Sequence, residues 1–218
     1  MEYSVYISAC SILLLSRSLS ESLRQSVQDS TLFSQLCADE DFFENSVTVE
    51  WHEVFKESLE SCGWSLYEQQ EMSLAADGER FTLTNILLGV FGDHLSRAQK
   101  NCLDIASKLL AALPESTPLA RIFRDHTVMK GQTHIKMQLG IVDKEGLLKV
   151  TTVLFETVED VGANLIDHVF DPAQVQGGVK TGFVIARFNI KSYEENAENV
   201  VQWLGSQRQS HSGRLDQP

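Results

Sequence analysis

The chain has 218 residues, 43% of them hydrophobic and 22% charged, with 13 Gly and 4 Pro, which excludes a fibrous, collagen-like or wholly disordered protein. Eighteen Lys and Arg against 30 Asp and Glu leave a net charge of −12. A nucleic-acid binder neutralises phosphates with clustered cations, and the densest basic stretch here, Arg121, Arg124, His126 and Lys130, is interrupted by Asp125, so no nucleic-acid partner is expected.

The chain opens on an apolar run, Tyr6 to Leu15. Glu2 is the only charge before it and no Lys or Arg precedes it, so a classical signal peptide is not expected; the chain reads as cytoplasmic at synthesis, with non-classical export left open. Ten residues are half of what a membrane-spanning helix needs. The run is read as the buried start of a first helix continuing through Leu19, Leu23 and Val27.

From Val49 to Cys62, the residues Trp51, Val54, Phe55, Leu59 and Cys62 fall on one stripe of an amphipathic helix, and Gly63 stands where a C-terminal cap belongs. Trp64 to Tyr67 alternates like a strand, Asp77-Gly78 has turn chemistry and Phe81 to Leu83 follows, which together suggest a two-stranded pair. Asn85 to Leu113 is helical, with Gly89, Gly92 and Asp93 marking a kink or a break into two helices. Pro114 ends it, and Thr117-Pro118 is the N-cap and first position of a short helix through Phe123.

Past Gly131 the period changes to two. In Thr133 to Val142, Ile135, Met137, Leu139 and Ile141 point one way and His134, Lys136 and Gln138 the other. Asp143 to Gly146 is a turn, and Leu147 to Val158 returns as a second long strand; Gly182 to Ile190 is a third. Ser192-Tyr193-Glu194-Glu195 has the form of a capping box for a helix running to Leu204 and closed by Gly205. The expected fold class is α+β: helices from the first half and a C-terminal helix packed on a mainly antiparallel sheet formed largely by residues 132–191. A single domain over 1–205 is expected, with 206–218 as a flexible tail in which only Leu215 is strongly apolar.

Motifs of catalysis are missing. There is no GxSxG elbow, no GxxxxGK[ST] phosphate loop, no GxGxxG and no HExxH; His52-Glu53 comes nearest to the last but lacks a second His. Cys10, Cys37, Cys62 and Cys102 are 27, 25 and 40 residues apart, too far for the paired ligands of a zinc site, and read as buried free thiols; no metal and no cofactor is expected.

Three of the six histidines directly follow an aspartate: Asp93-His94, Asp125-His126 and Asp167-His168. A carboxylate can orient an imidazole and raise its basicity, so His94, His126 and His168 are the candidate catalytic residues, although adjacent side chains diverge on a strand or helix. Cys37 and Cys102 are candidates for a nucleophile or a lipid attachment, and Phe91 and Phe155 for the lining of an apolar cavity. The expected function is a non-enzymatic binding or interaction protein whose partner is a small hydrophobic, lipid-like ligand or another protein. The first alternative is a membrane-active, cytolysin-like effector using the long 133–158 hairpin, whose strands are long enough to cross a tilted bilayer. The second is an enzyme with a site assembled from distant His, Asp and Cys residues.

Overall fold

A computed structural model describes residues 2–44, 51–74, 78–129, 134–161 and 165–215. The chain begins with a β-hairpin, β1 (Tyr3–Ser8) and β2 (Ser11–Ser16), followed by α1 (Glu21–Glu44), α2 (Trp51–Ser61) and β3 (Trp64–Leu74). Three helices come next, α3 (Leu83–Phe91), α4 (Arg97–Ala111) and α5 (Pro118–Thr127), then the short β4 (Val128–Met129). The long strands β5 (His134–Val142), β6 (Leu147–Thr157) and β7 (Val175–Phe188) precede α6 (Ile190–Glu194), α7 (Ala197–Leu204), α8 (Gln207–Ser210) and β8 (Ser212–Arg214).

The α+β expectation holds: helices pack on one large sheet ordered β3-β7-β6-β5-β2-β1-β8, with β4 beside β5, antiparallel except for the parallel pair β2–β5. Both faces are covered. One carries α3, α4 and α5 over Val5, Ile7, Ile135, Met137, Leu139 and Phe183. The other carries α1, α2, α6 and α7 over Tyr6, Leu13, Leu148, Val150 and Val184. The β5–β6 hairpin therefore lies centrally, paired on its outer edges to β2 and β7.

Four local expectations are corrected. Tyr6 to Leu15 is not the start of a helix but most of the β1–β2 hairpin, closed by Ala9 at φ +47°. Its residues are buried alternately on the two faces, and a strand covered on both sides reads as a continuous apolar run. The helix expected from that run begins at Glu21.

The pairing of Trp64–Tyr67 with Phe81–Leu83 does not form. β3 pairs antiparallel with β7, Phe81 bridges Phe170, and Thr82 caps α3 by accepting from the amide of Asn85. Asp77 of the expected turn lies outside the described residues.

The capping box at Ser192 is replaced by Asn189, whose side chain accepts from the amides of Lys191 and Ser192 three residues earlier in the chain. The helix then breaks, and α7 restarts at Ala197. Gly63 explains the early start: the amide of Asn189 donates to its carbonyl, and a Cβ on Gly63 would lie 2.7 Å from the Tyr193 nitrogen.

Where a frayed tail is expected, residues 207–214 form α8 and β8. β8 pairs with the outer edge of β1, and Arg208 grips Asp29 of α1 through two hydrogen bonds of 2.8 and 2.7 Å. A sheet edge recruits a strand through its backbone, so the polar side chains of this segment carry no signal of it.

The remaining elements follow the sequence closely. The 85–113 pattern divides at Gly92 into α3 and α4, the latter opened by a Ser96–Gln99 capping box. Thr117 caps α5 with Pro118 at its first position, and the helix extends past Phe123 to Thr127. Gly146, at φ +75°, closes the turn between β5 and β6.

Candidate functional site

On the face under α1 and α2, the strand register lines up a row of polar positions across the sheet. Ser11 of β2 is opposite Gln138 of β5, Gln138 is opposite Thr152 of β6, Thr152 is opposite Gly182 of β7, and Gly182 is opposite Glu71 of β3. The hydrogen bonds along this row share one direction. The Ser11 hydroxyl donates to Gln138 Oε1 at 3.0 Å, and Gln138 Nε2 donates to Thr152 Oγ1 at 2.9 Å. The Thr152 hydroxyl therefore has its own proton to give, and among the described residues no acceptor takes it.

Gly182 leaves the gap that the row needs. A Cβ there would lie 2.3 to 2.7 Å from the imidazole of His52, the second residue of α2, so the ring occupies the space that any larger residue would fill. This places the His52 ring beside Thr152, its neighbour across the β6–β7 register. Both ring nitrogens are buried without a hydrogen-bond partner among the described residues; Glu71 Oε1 stands 3.9 Å from Nε2, beyond bonding distance. Burial, and then the charge of Lys56, push the pKa of His52 down to about 4, with Glu53 opposing, so the ring is neutral at physiological pH.

A cavity of about 280 Å³ opens here, lined by Trp51, His52, Glu71, Thr152, Leu154 and Lys180, with Met72, Ser73, Thr181 and Gly182 completing it. Lys56 bonds Glu53 at 2.6 Å and Glu71 at 2.7 Å. Burial works against its ammonium, but these two carboxylates outweigh burial and hold its pKa above the ordinary value.

Behind the cavity lies a buried ionic cluster that shares Trp51 with it. Lys136 of β5 is 0% exposed and forms a hydrogen-bonded ion pair with Asp39 of α1, which also accepts from the Trp51 indole at 2.7 Å. The Lys136 ammonium sits 4.7 Å from the centre of the Trp51 ring system, a cation–π contact. His126 Nδ1 meets the other Asp39 oxygen at 3.3 Å, and His126 Nε2 meets His211 Nδ1 at 2.6 Å. The contacts run from the Asp39 carboxylate through both ring nitrogens of His126 to His211, whose ring lines a groove with Leu36, Glu40, Trp203 and Gln207.

Burial raises the pKa of Asp39, but attraction to Lys136 and bonds from His126, Lys136 and Trp51 win and hold it below the usual carboxylate value. Burial, and then repulsion from His126, lower His211, with Asp39 opposing. The nearest thiol, Cys10, donates to Gln35 and is pushed by burial up to about 12, so it stays protonated and is no nucleophile at neutral pH.

The three Asp-His candidates part company in the structure. Each histidine meets a distant carboxylate: His94 pairs with Glu68 at 3.6 Å, His126 with Asp39, and His168 with Glu159 at 2.6 Å. Only His126 joins the buried cluster. Phe91 packs edge-on against Phe183, and Phe155 edge-on against Phe81 and Phe170, all in the core of the α3–α5 face. Cys102 packs against that same core; Cys37 lies between α1 and α2 in a shallow hollow with Phe33 and Val54.

The sequence names His52 and Gly182 without connecting them, and sets Lys136 and Gln138 on the face opposite Ile135 and Met137 without showing that this face is covered. The register that joins them spans the whole chain, so no local spacing announces it. Among the described residues no His, Cys, Asp or Glu cluster has the form of a metal site, and no helix is long and apolar enough to cross a membrane. Compared with protein-family models, curated proteins and solved structures, the chain matches none.

Proposed function

We propose that the chain is a non-enzymatic binding protein that holds a small amphipathic molecule in the cavity between α2 and the β3–β7–β6 part of the sheet. The observation that carries this reading is the His52 imidazole, buried in the cavity wall with two nitrogens lacking hydrogen-bond partners among the described residues. Buried polar groups are nearly always bonded, so this ring marks a part of the cavity wall whose hydrogen bonding the described residues leave incomplete. Leu154, Met72 and Trp51 offer apolar surface beside these polar groups, which suits a molecule with one polar end. At about 280 Å³ the cavity is at the low end of small-molecule pockets, which favours a compact ligand over a two-chain lipid.

Native mass spectrometry of the purified chain, repeated after denaturation, tests the reading. The expected result is extra mass that departs on denaturation and is missing from a Leu154→Trp variant that fills the cavity. A bare chain mass, together with no change in melting temperature on adding short amphipathic molecules, would overturn it.

A further inference from the structure

The densest basic stretch of the sequence, around Arg121 and Arg124, takes no part in the His52 cavity and lies on the other face of the sheet. α5 carries the two arginines three residues apart, the spacing that makes side chains neighbours on a helix. Phe123, between them in the chain, is buried in the core of the α3–α5 face. Arg121 is exposed and Arg124 half-buried, and neither guanidinium has a hydrogen bond or ion pair among the described residues.

Both arginines line a second cavity, of about 130 Å³, between the end of α4, α5 and the segment at Leu165 and Ile166. Leu110, Phe123, Leu165 and Ile166 give it a buried apolar wall. Glu115 also reaches the lining; it is exposed and pairs with neither arginine. The lining thus sets two positive charges against one negative, in a chain of net charge −12. Elsewhere the balance differs: the His52 cavity sets Lys180 against Glu71, and the hollow by Cys37 and the groove by His211 have Glu40 in their linings and no Arg or Lys.

One excess positive charge suits a monoanion, whereas a dianion would leave a negative charge uncompensated beside the apolar wall. A guanidinium fork matches a carboxylate through two parallel hydrogen bonds, and bonds between ions are the strong ones. At the ~30 Å³ that each molecule takes in liquid water, the cavity holds roughly four non-hydrogen atoms, the body of a short acid.

We infer that this cavity is a second binding site, which takes a short-chain aliphatic carboxylate, its head against Arg121 and Arg124 and its alkyl chain against Leu110, Phe123, Leu165 and Ile166. The site does not depend on the His52 reading: the two cavities share no residue and lie on opposite faces of the sheet.

Pentanoate and pentan-1-ol, matched in length and different in charge, are titrated separately into the full chain at neutral pH and low salt. The NMR amide signals of Leu110, Phe123 and Ile166 are followed. Pentanoate is expected to shift them saturably, with pentan-1-ol about tenfold weaker because it forgoes the charge-assisted bonds. Arg124→Met keeps an apolar stem and removes the charge. It is expected to weaken pentanoate about tenfold and leave pentan-1-ol unchanged, with the melting temperature held because no internal partner is lost. Arg121→Met, at the exposed position, is expected to do the same. Pentan-1-ol binding as tightly as pentanoate, or pentanoate binding unchanged by both substitutions, would overturn the carboxylate site. The absence of a saturable shift from pentanoate would overturn it as well, while the His52 cavity is read separately through Thr152 and Gly182.

Discussion

The two faces of the sheet are made by alternate residues of the same strands, and helices cover both, yet they are built on different chemistry. Under α3, α4 and α5, β5 contributes Ile135, Met137, Leu139 and Ile141, all apolar. Under α1 and α2 the same strand contributes Lys136 and Gln138, both buried, and β6 adds Thr152. A covered polar face is costly to build, because every buried donor and acceptor needs a partner. On this face most partners are found within the protein: Asp39 for Lys136, Ser11 and Thr152 for Gln138. The His52 ring and the Tyr193 hydroxyl, by contrast, are buried on this face without a hydrogen-bond partner among the described residues.

Breaking the ion pair tests this contrast most severely. Lys136→Met leaves Asp39 buried without its cation and is expected to lower the unfolding free energy by about 3–5 kcal/mol in urea titrations. Adding Asp39→Leu should recover much of the loss, since an apolar pair of similar volume removes the unpaired charge. On the opposite face Met137→Leu, a near volume-conserving change, is expected to cost less than about 1.5 kcal/mol. If Lys136→Met and Met137→Leu cost the same, the two faces do not differ as described.

Acidification should also act through the polar face. His52 has a folded pKa of about 4 against an ordinary 6.5. Above 6.5 the ring is neutral whether folded or unfolded and adds no pH dependence. As pH falls between these two values the unfolded chain takes the proton and the folded chain resists it, so stability drops, by about 3 kcal/mol in total. The lowered His211 adds loss of the same sign, and Asp39 continues it as its carboxylate is protonated. Urea melts at stepped pH should show this slope, and His52→Gln should flatten it.

The C-terminal segment provides a smaller effect. His211 ties the segment to α5 through His126, while its carbonyl accepts from the amide of Ala9. Replacing His211 with Ala keeps the backbone bond and removes the ring contact, so β8 amides should exchange with deuterium several-fold faster, with a global loss of about 1 kcal/mol. Smallest of all are His94→Gln and His168→Gln. Their carboxylate partners are half-exposed or outside the cavity, and each change is expected to cost about 1 kcal/mol or less and to leave ligand binding unaltered.

How much of this was legible in the sequence follows from what periodicity measures. Alternation in 134–142 and 147–157 correctly groups the residues that share a face, but it does not tell whether the face is wet or covered, so the burial of Lys136 and Gln138 is not legible from it. The same blindness affects Tyr6 to Leu15, where burial on both sides erases the alternation and leaves a run that suits a helix equally well. Caps and turns that act within a few residues, such as Thr117 before Pro118 and Asp143 to Gly146, were readable because their chemistry is local. The candidate site was not. His52, Gly182 and Thr152 come together only through the pairing of β7 with β6 and the seating of α2, contacts across 30 to 130 positions.

The central claim is that His52 is a neutral imidazole buried in the cavity wall without a hydrogen-bond partner among the described residues. Its ring signals, followed by NMR across an acid titration with and without hexan-1-ol, test that claim most directly. The account predicts a titration near pH 4 and a displacement of the ring signals when the alcohol binds. An imidazole that titrates near 6.5 and ignores the alcohol would contradict it.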